Sequence, residues 1–270
     1  MERKKIGFLG AGNMARAIMN GISASPLSKT FKVHVYDVNP DAVKFAVKKF
    51  KASALASCGA AARECGILIL AVKPQNFPEV MSEIKKSVTK KHLIISIAAG
   101  ISIKKIHSFL ASKPSVVRVM PNMPALVGEG AAGYSFSSGV RASQKKDARS
   151  ILSTFCKVSV LLPETKINAV TALSGSGPAY IFYFVEAMLE AAAQLGLDGA
   201  AAKALIVQTF KGSAKLLQKS EETAATLRKN VTSKGGTTES AIAVMENMRV
   251  KEALIQAVLA AKKRGDELGK

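Results

Sequence analysis

A chain of 270 residues is long enough for one large or two modest domains, and 48% hydrophobic with 21% charged residues is the composition of a soluble globular protein. Its formal net charge of +20 is uneven: residues 1–163 hold 25 Lys and Arg against 8 Asp and Glu, and residues 164–270 hold the other 14 against 11. Three cysteines, Cys58, Cys65 and Cys156, exclude a full disulfide framework and have no metal-ligand spacing, so no metal is expected and the compartment expected is a reducing cytoplasm.

A basic chain invites nucleic acid. The lysines, however, are scattered along predicted helix faces, aromatics are only 6%, and no nucleic-acid motif is present, so the expectation is solvated surface and no nucleic-acid partner. A positive field still speeds the capture of anionic ligands such as a dinucleotide. The basic start at residues 1–5 precedes an apolar run too short for a signal peptide. The most apolar later stretch, 178–197, carries Glu186 and Glu190, so no membrane span is expected.

In chain order, Lys5–Leu9 predicts a short strand, residues 10–12 a glycine turn, and the next residues a helix with apolar positions at helical spacing. Gly10-x-Gly12-x-x-Ala15 fits the dinucleotide-binding pattern. Gly10 allows the tight turn, Gly12 lets the backbone approach a pyrophosphate, and Ala15 lets the helix lie close on the strand. Ala11, Asn13 and Met14 complete the turn, and the N–H groups of the helix start face the phosphates. Phe31–Asp37 alternates as a second strand ending in an acid, where a carboxylate accepts hydrogen bonds from ribose hydroxyls and favours NAD. A helix-capping or turn role for Asp37 is the alternative. Asn39-Pro40-Asp41 opens a basic helix through Phe50.

Ile67–Val72 is a continuous apolar run, as in a buried parallel strand, and it ends in Lys73-Pro74-Gln75-Asn76. With Ala71 and Val72 these residues stand at a carboxyl strand end, the edge where ligands bind in open α/β sheets. A helix over 78–88, a strand over 93–98 ending in Ala98-Ala99-Gly100, a helix over 103–110 and a strand over 115–120 follow. The last ends in Met120-Pro121-Asn122. Strands at 131–137 and 157–162 flank a helix at 143–155. Strand and helix alternate, which predicts a Rossmann-type, doubly wound α/β sheet.

From Glu164 the strand pattern stops. Helices are expected at 166–173, 178–195, 199–218, 222–228, 238–246 and 250–268. The 178 and 199 helices are apolar on more than one side, which calls for a partner subunit. The expected division is therefore residues 1–163 as a dinucleotide-binding domain and 164–270 as a helical dimerisation and substrate-binding domain. Two loops interrupt the helices, Leu173–Pro178 and 230–239. The second combines hydroxyls, two glycines and a helix start, a ready cradle for an anion. The histidines His34, His92 and His107 are isolated and no acid pair or Ser/His/Asp set stands out, so the chemistry is expected from a cofactor.

These motifs resemble pyrroline-5-carboxylate reductases over essentially the whole chain. The resemblance is carried by residues 7–14, 71–75, 96–101, 118–122, 169–180 and 227–238. It implies hydride transfer from a reduced nicotinamide to C5 of 1-pyrroline-5-carboxylate, giving L-proline. It implies NADPH as cofactor, with NADH admitted because of Asp37. Gly10 to Met14, Asp37, Asn39, Ala71 to Pro74, Ala98 to Gly100, Met120 and Asn122 would hold that cofactor. Ser233, Gly235, Gly236, Thr237 and Thr238 would hold the substrate, with the Thr238 hydroxyl on the ring nitrogen. It further implies an interlocked homodimer or an assembly of dimers, each site drawing on both subunits. The chain departs from the family pattern at Lys234 (usually Pro), at Met123 (usually Thr) and at Thr223-Ala224-Ala225 (usually His-Pro-Gly). Two other readings are weaker. A β-hydroxyacid dehydrogenase needs a lysine donor after the glycine-rich loop, and residues 178–184 contain none. A non-catalytic, redox-sensing NAD(P)-binding module would not need the intact Thr237-Thr238.

Overall fold

The computed structural model describes residues 2–269. Its first part alternates strand and helix, with β3 and α3 added to the elements that the apolar pattern predicts: β1 (Lys4–Leu9), α1 (Asn13–Ser23), β2 (Phe31–Tyr36), α2 (Pro40–Phe50), β3 (Ser53–Ala54), α3 (Cys58–Glu64), β4 (Ile67–Leu70), α4 (Phe77–Ile84), β5 (Leu93–Ser96), α5 (Ile103–Phe109) and β6 (Ser115–Pro121). Then come β7 (Gly130–Phe136), α6 (Ala142–Leu152) and β8 (Cys156–Leu161). The helices begin where short polar side chains can take up free N–H groups. Asn39, Ser57 and Ser102 cap α2, α3 and α5 at 2.9–3.1 Å.

One sheet orders the strands β3-β2-β1-β4-β5-β6-β7-β8. The order steps outward in both directions from β1 and β4, which is the doubly wound pattern, with its crevice at the β1/β4 switch point. β1 to β6 are parallel, β7 is antiparallel to β6, and β8 is parallel to β7. The reversal at β7 follows from its connection: only a short 3-10 turn (Met123–Val127) separates β6 from β7, too little chain for a parallel crossover. Two apolar layers cover the sheet. Ile6, Phe8, Ile18 and Val117 belong to one and Leu9, Leu68, Leu70 and Met81 to the other. β4 and β5 stop two residues earlier than their apolar runs predict: Ala71 and Ile97 each make one last N–H bond, to the Leu9 and Leu70 carbonyls, where the strands end.

The helical part contains α7 (Ile167–Val170), α8 (Gly177–Gln194), α9 (Gly199–Lys219), α10 (Ala224–Asn230), α11 (Thr237–Asn247) and α12 (Val250–Leu268). The Leu173–Pro178 loop expected from its Ser/Gly content is instead largely helical. Thr171–Gly175 is a π-helical turn closed by the Ser176 N–H on the Thr171 carbonyl at 2.8 Å, and α8 begins at Gly177. Such turns recur at functional sites.

The chain forms two compact units. One runs to Pro178 and takes in the segment from Ala261 onward; the other is Ala179–Ala260. Within the first, Arg118 on β6 is 5% exposed, and burial lowers its pKa although Glu164 opposes this. Its guanidinium donates to Glu164 at 3.3 Å and to the Asn168 side chain at 2.7 Å, and Asn168 donates to Asp266 at 2.8 Å. This chain of bonds fastens α7 and the last turns of α12 to the sheet. No helix among the described residues is long and apolar enough to cross a membrane.

Candidate active site

The carboxyl ends of β1, β2 and β4 open onto a cavity of about 460 Å³. Nine of the residues expected to bind cofactor line it: Gly10, Ala11, Gly12, Asn13, Asp37, Asn39, Ala71, Val72 and Lys73. Gly10 has φ +102°, and a Cβ there would stand 2.7 Å from the Ala71 carbonyl oxygen, so backbone sterics demand glycine. Gly12 is the N-cap of α1 and supplies no capping side chain. A Cβ on Gly12 would meet nothing within 4 Å, so the space beside this turn is open, and the first-turn N–H groups of α1 have no side-chain cap. An uncapped helix start behind a bare backbone is what a pyrophosphate requires, and the residues present fit a dinucleotide.

Asp37 holds this turn in place. One carboxylate oxygen accepts the Ala11 N–H at 2.6 Å and the other accepts the Asn39 N–H at 2.8 Å. Both expected roles are therefore compatible: a carboxylate offers about four acceptor positions, and those left over suit hydroxyl donors. Arg16, which the sequence pattern did not single out, donates from Nε to the Ala11 carbonyl at 3.0 Å. Its guanidinium lies 4.4 Å from the centre of the Phe45 ring.

Asn76, from the polar loop expected at this edge, also lines the cavity, as do Tyr36, Cys58, Glu79 and Glu83, which the sequence reading missed. The four-residue spacing of Glu79 and Glu83 on α4, which puts both on one helix face, is the signal that could have found them. Burial first, then Glu83 and Glu79, pushes the Cys58 thiol up to about 12. Tyr36 is raised by burial and by neighbouring Cys58, Glu83, Glu79 and Asp37. Neither side chain ionises near neutral pH, so the cavity offers no activated thiolate.

The other expected cofactor residues lie outside this cavity, most of them along the same sheet edge. Met14 packs partly buried against the core, and Pro74 opens a 3-10 turn (Pro74–Asn76). Ala98, Ala99 and Gly100 follow β5, and Gly100 has φ +79°. Met120 stands in the last residues of β6 and Asn122 directly follows it. The Asn122 side chain accepts the Ala131 N–H at 2.8 Å and donates to the Ser174 hydroxyl at 3.2 Å. A Cβ on Gly175 would come within 2.4 Å of Met120 Cε, so the π-helical turn packs directly on that methionine. This tie between the end of β6 and Thr171–Gly175 explains why the Ser/Gly segment is there.

In the second unit, Ser233 to Thr238 form a tight turn and the start of α11. The Gly236 N–H donates to the Ser233 carbonyl at 3.0 Å, and Gly235 has φ +74°. Gly236 is the N-cap of α11 with no side chain to offer, leaving the first-turn N–H groups at Thr237 and Thr238 uncapped. The Gly235 N–H donates to the Glu239 carboxylate at 2.7 Å, so the turn already holds one carboxylate of its own chain.

No group of three or more His, Cys, Asp or Glu among the described residues could hold a metal ion. His92 and His107 bond through Nε2 to the Ala62 and Pro114 carbonyl oxygens, at 2.9 and 3.0 Å.

Comparison with known proteins gives the site its context. Residues 164–268 match the family model described as pyrroline-5-carboxylate reductase dimerisation. Pyrroline-5-carboxylate reductase 2 of Bacillus subtilis is 37% identical over 268 residues, covering 98% of this chain and 95% of the relative. The chain belongs to the pyrroline-5-carboxylate reductase family. The Methanosarcina acetivorans reductase is 38% identical with full coverage of both chains. The crystal structure of Plasmodium falciparum pyrroline carboxylate reductase with NADP bound superposes with a TM-score of 0.90 at 31% identity, again covering both chains completely. Residues 5–100, which carry the cavity, match a model described as NADP oxidoreductase, coenzyme F420-dependent. The reductase family thus accounts for both the Rossmann-like sheet and the helices after it.

Proposed function

We propose that the chain reduces 1-pyrroline-5-carboxylate to L-proline with NAD(P)H. The observation that carries the reading is full-length identity of 37–38% to reductases of that name, on a chain whose dinucleotide cavity is intact. In this reading residues 1–163 bind the dinucleotide. The uncapped start of α1 receives the pyrophosphate, Asp37 and Asn39 meet the adenosine ribose, and the strand ends at Ala71 to Pro74, Ala98 to Gly100, Met120 and Asn122 line the nicotinamide side. The cofactor, when bound, supplies a hydride. NADPH is the donor that the Plasmodium relative suggests, and NADH is admitted because Asp37 accepts ribose hydroxyls.

Residues 164–270 carry substrate binding and dimerisation in this proposal. Ser233, Gly235, Gly236 and Thr237 shape the turn that seats the substrate carboxylate, with the uncapped N–H groups at the start of α11 as its donors. The Thr238 hydroxyl holds the ring nitrogen and so orients C5. An imine that arrives protonated is already electrophilic, so no strong acid is required beside it. The exposed apolar side chains of α8 and α9, among them Phe182, Tyr183, Leu205 and Leu216, are the surface that a homodimer would cover. The cytoplasm, where free thiols persist, fits the three free cysteines. Oxidation of the nicotinamide on adding pyrroline-5-carboxylate, with proline as product, tests the reading. No turnover with either cofactor would overturn it.

A further inference from the structure

The edge of the sheet opposite the cofactor carries a charge that the proposed reaction does not use. Parallel strands start on one edge, and five of the six parallel strands have a lysine close to their start. Lys5, Lys32, Lys51, Lys91 and Lys113 each stand within two residues of the first residue of β1, β2, β3, β5 and β6. Between the end of α4 and the start of β5, Lys85, Lys86, Lys90 and Lys91 line a groove of about 640 Å³ with Ser112 and Thr89. None of these ammonium groups has a hydrogen bond or ion pair among the described residues. Acids near the edge are few. Asp147 is already bound to Lys4 at 2.7 Å, and Glu2 and Glu64 are the others in the segments that open these strands.

Helix dipoles account for lysines at helix ends such as Lys85, Lys86 and Lys51, the C-cap of α2, but Lys5, Lys32, Lys91 and Lys113 stand outside any helix's last turn or cap. In the strand order β3-β2-β1-β4-β5-β6 the row extends over roughly 24 Å at the usual strand spacing. A line of unpaired like charges fits a ligand with repeated negative charge. None of the exposed large hydrophobic side chains belongs to the segments opening these strands, so the edge has nothing to insert into a bilayer and nothing on which bases would stack.

We propose that this amino edge docks the phosphodiester backbone of a nucleic-acid strand without sequence preference. Sequence order concealed it, because lysines separated by tens of residues meet only when the strands assemble.

The test is fluorescence anisotropy of the full chain with two short labelled single-stranded RNAs of unrelated sequence. Binding should be equal for the two and should weaken on the order of a hundredfold between about 50 and 200 mM salt, as about five phosphate contacts require. The triple variant Lys90→Glu, Lys91→Glu, Lys113→Glu should bind at least tenfold more weakly with a shallower salt dependence, while its circular dichroism and reductase turnover stay unchanged. Three results would overturn the proposal: no binding at low salt, binding unaltered in the triple variant, or capture by anionic vesicles without binding of RNA.

Discussion

The Asp37 carboxylate and the Ala11 N–H are joined by a 2.6 Å hydrogen bond, which locks the end of β2 to the glycine turn after β1. The acid is thereby fixed on the wall of the dinucleotide cavity before any ligand arrives. Its remaining lone pairs can accept from hydroxyls, but they meet a phosphate acceptor to acceptor, charge to charge.

Cofactor choice should therefore turn on this residue. Asp37→Ser keeps a short polar side chain and removes the charge, worth about 1–3 kcal/mol against a 2′-phosphate, or about tenfold to a hundredfold. The ratio of kcat/KM for NADPH to that for NADH should rise by this factor. An unchanged ratio would show that Asp37 does not face the ribose.

Gly10 gives a prediction of the opposite kind, where backbone rather than charge decides. At φ +102°, with the Ala71 carbonyl 2.7 Å from the place of a Cβ, alanine is both strained and crowded. The conformational part alone costs about 1–2 kcal/mol. Gly10→Ala should lower the melting temperature and abolish saturable cofactor binding by calorimetry. Gly12→Ala, which meets nothing within 4 Å, should leave the melting temperature nearly unchanged while still weakening the cofactor. If both variants lose stability equally, the turn is not shaped as described.

That contrast also shows which parts of the molecule were legible in the sequence. Gly10, Gly12 and Asp37 were readable because each answers a local demand: a positive φ, an open helix start, an acid at a strand end. The apolar runs of β4 and β5 were readable because both of their faces are buried. What escaped depends on chain folding back on itself. The reversal at β7 depends on the length of one short connection. The π-helical turn at Thr171–Gly175 looked like a loop because Ser and Gly dominate it, and its helical state is supported by packing on Met120 and Asn122. Cys58, Glu79 and Glu83 reach the cavity from α3 and α4, whose placement no local pattern specifies.

His34 makes stability depend on pH. It is buried on β2, and its Nε2 has no hydrogen-bond partner among the described residues. Burial, then Lys32 and Lys5, hold its pKa below the ordinary 6.5, against a smaller pull from Glu64. As pH falls through about 6.5 the unfolded chain takes up a proton that the folded chain refuses, so the unfolded state binds more protons and stability drops. Urea midpoints should fall between about pH 7.5 and 5.5. His34→Gln, which cannot titrate, should show a smaller fall over the same window. Equal slopes for the two proteins would mean that His34 is not the group responsible.

The substrate loop carries the most discriminating prediction. If Ser233 to Thr238 seat the substrate, the α11 start binds its carboxylate and the Thr238 hydroxyl orients its ring nitrogen. Thr238→Ala deletes one hydrogen bond to a charged group, worth about 1.5–3 kcal/mol, so kcat/KM for pyrroline-5-carboxylate should fall about tenfold to a hundredfold. The affinity for the nicotinamide cofactor should hardly change, because that site is built on Gly10, Gly12 and the strand ends. Ser233→Ala should act mainly on KM. Lys234 adds a positive charge beside the turn, so Lys234→Pro should weaken substrate capture modestly, and more at low salt than at high. Full activity in Thr238→Ala, or a loss of cofactor affinity in its place, would refute the assignment of this loop.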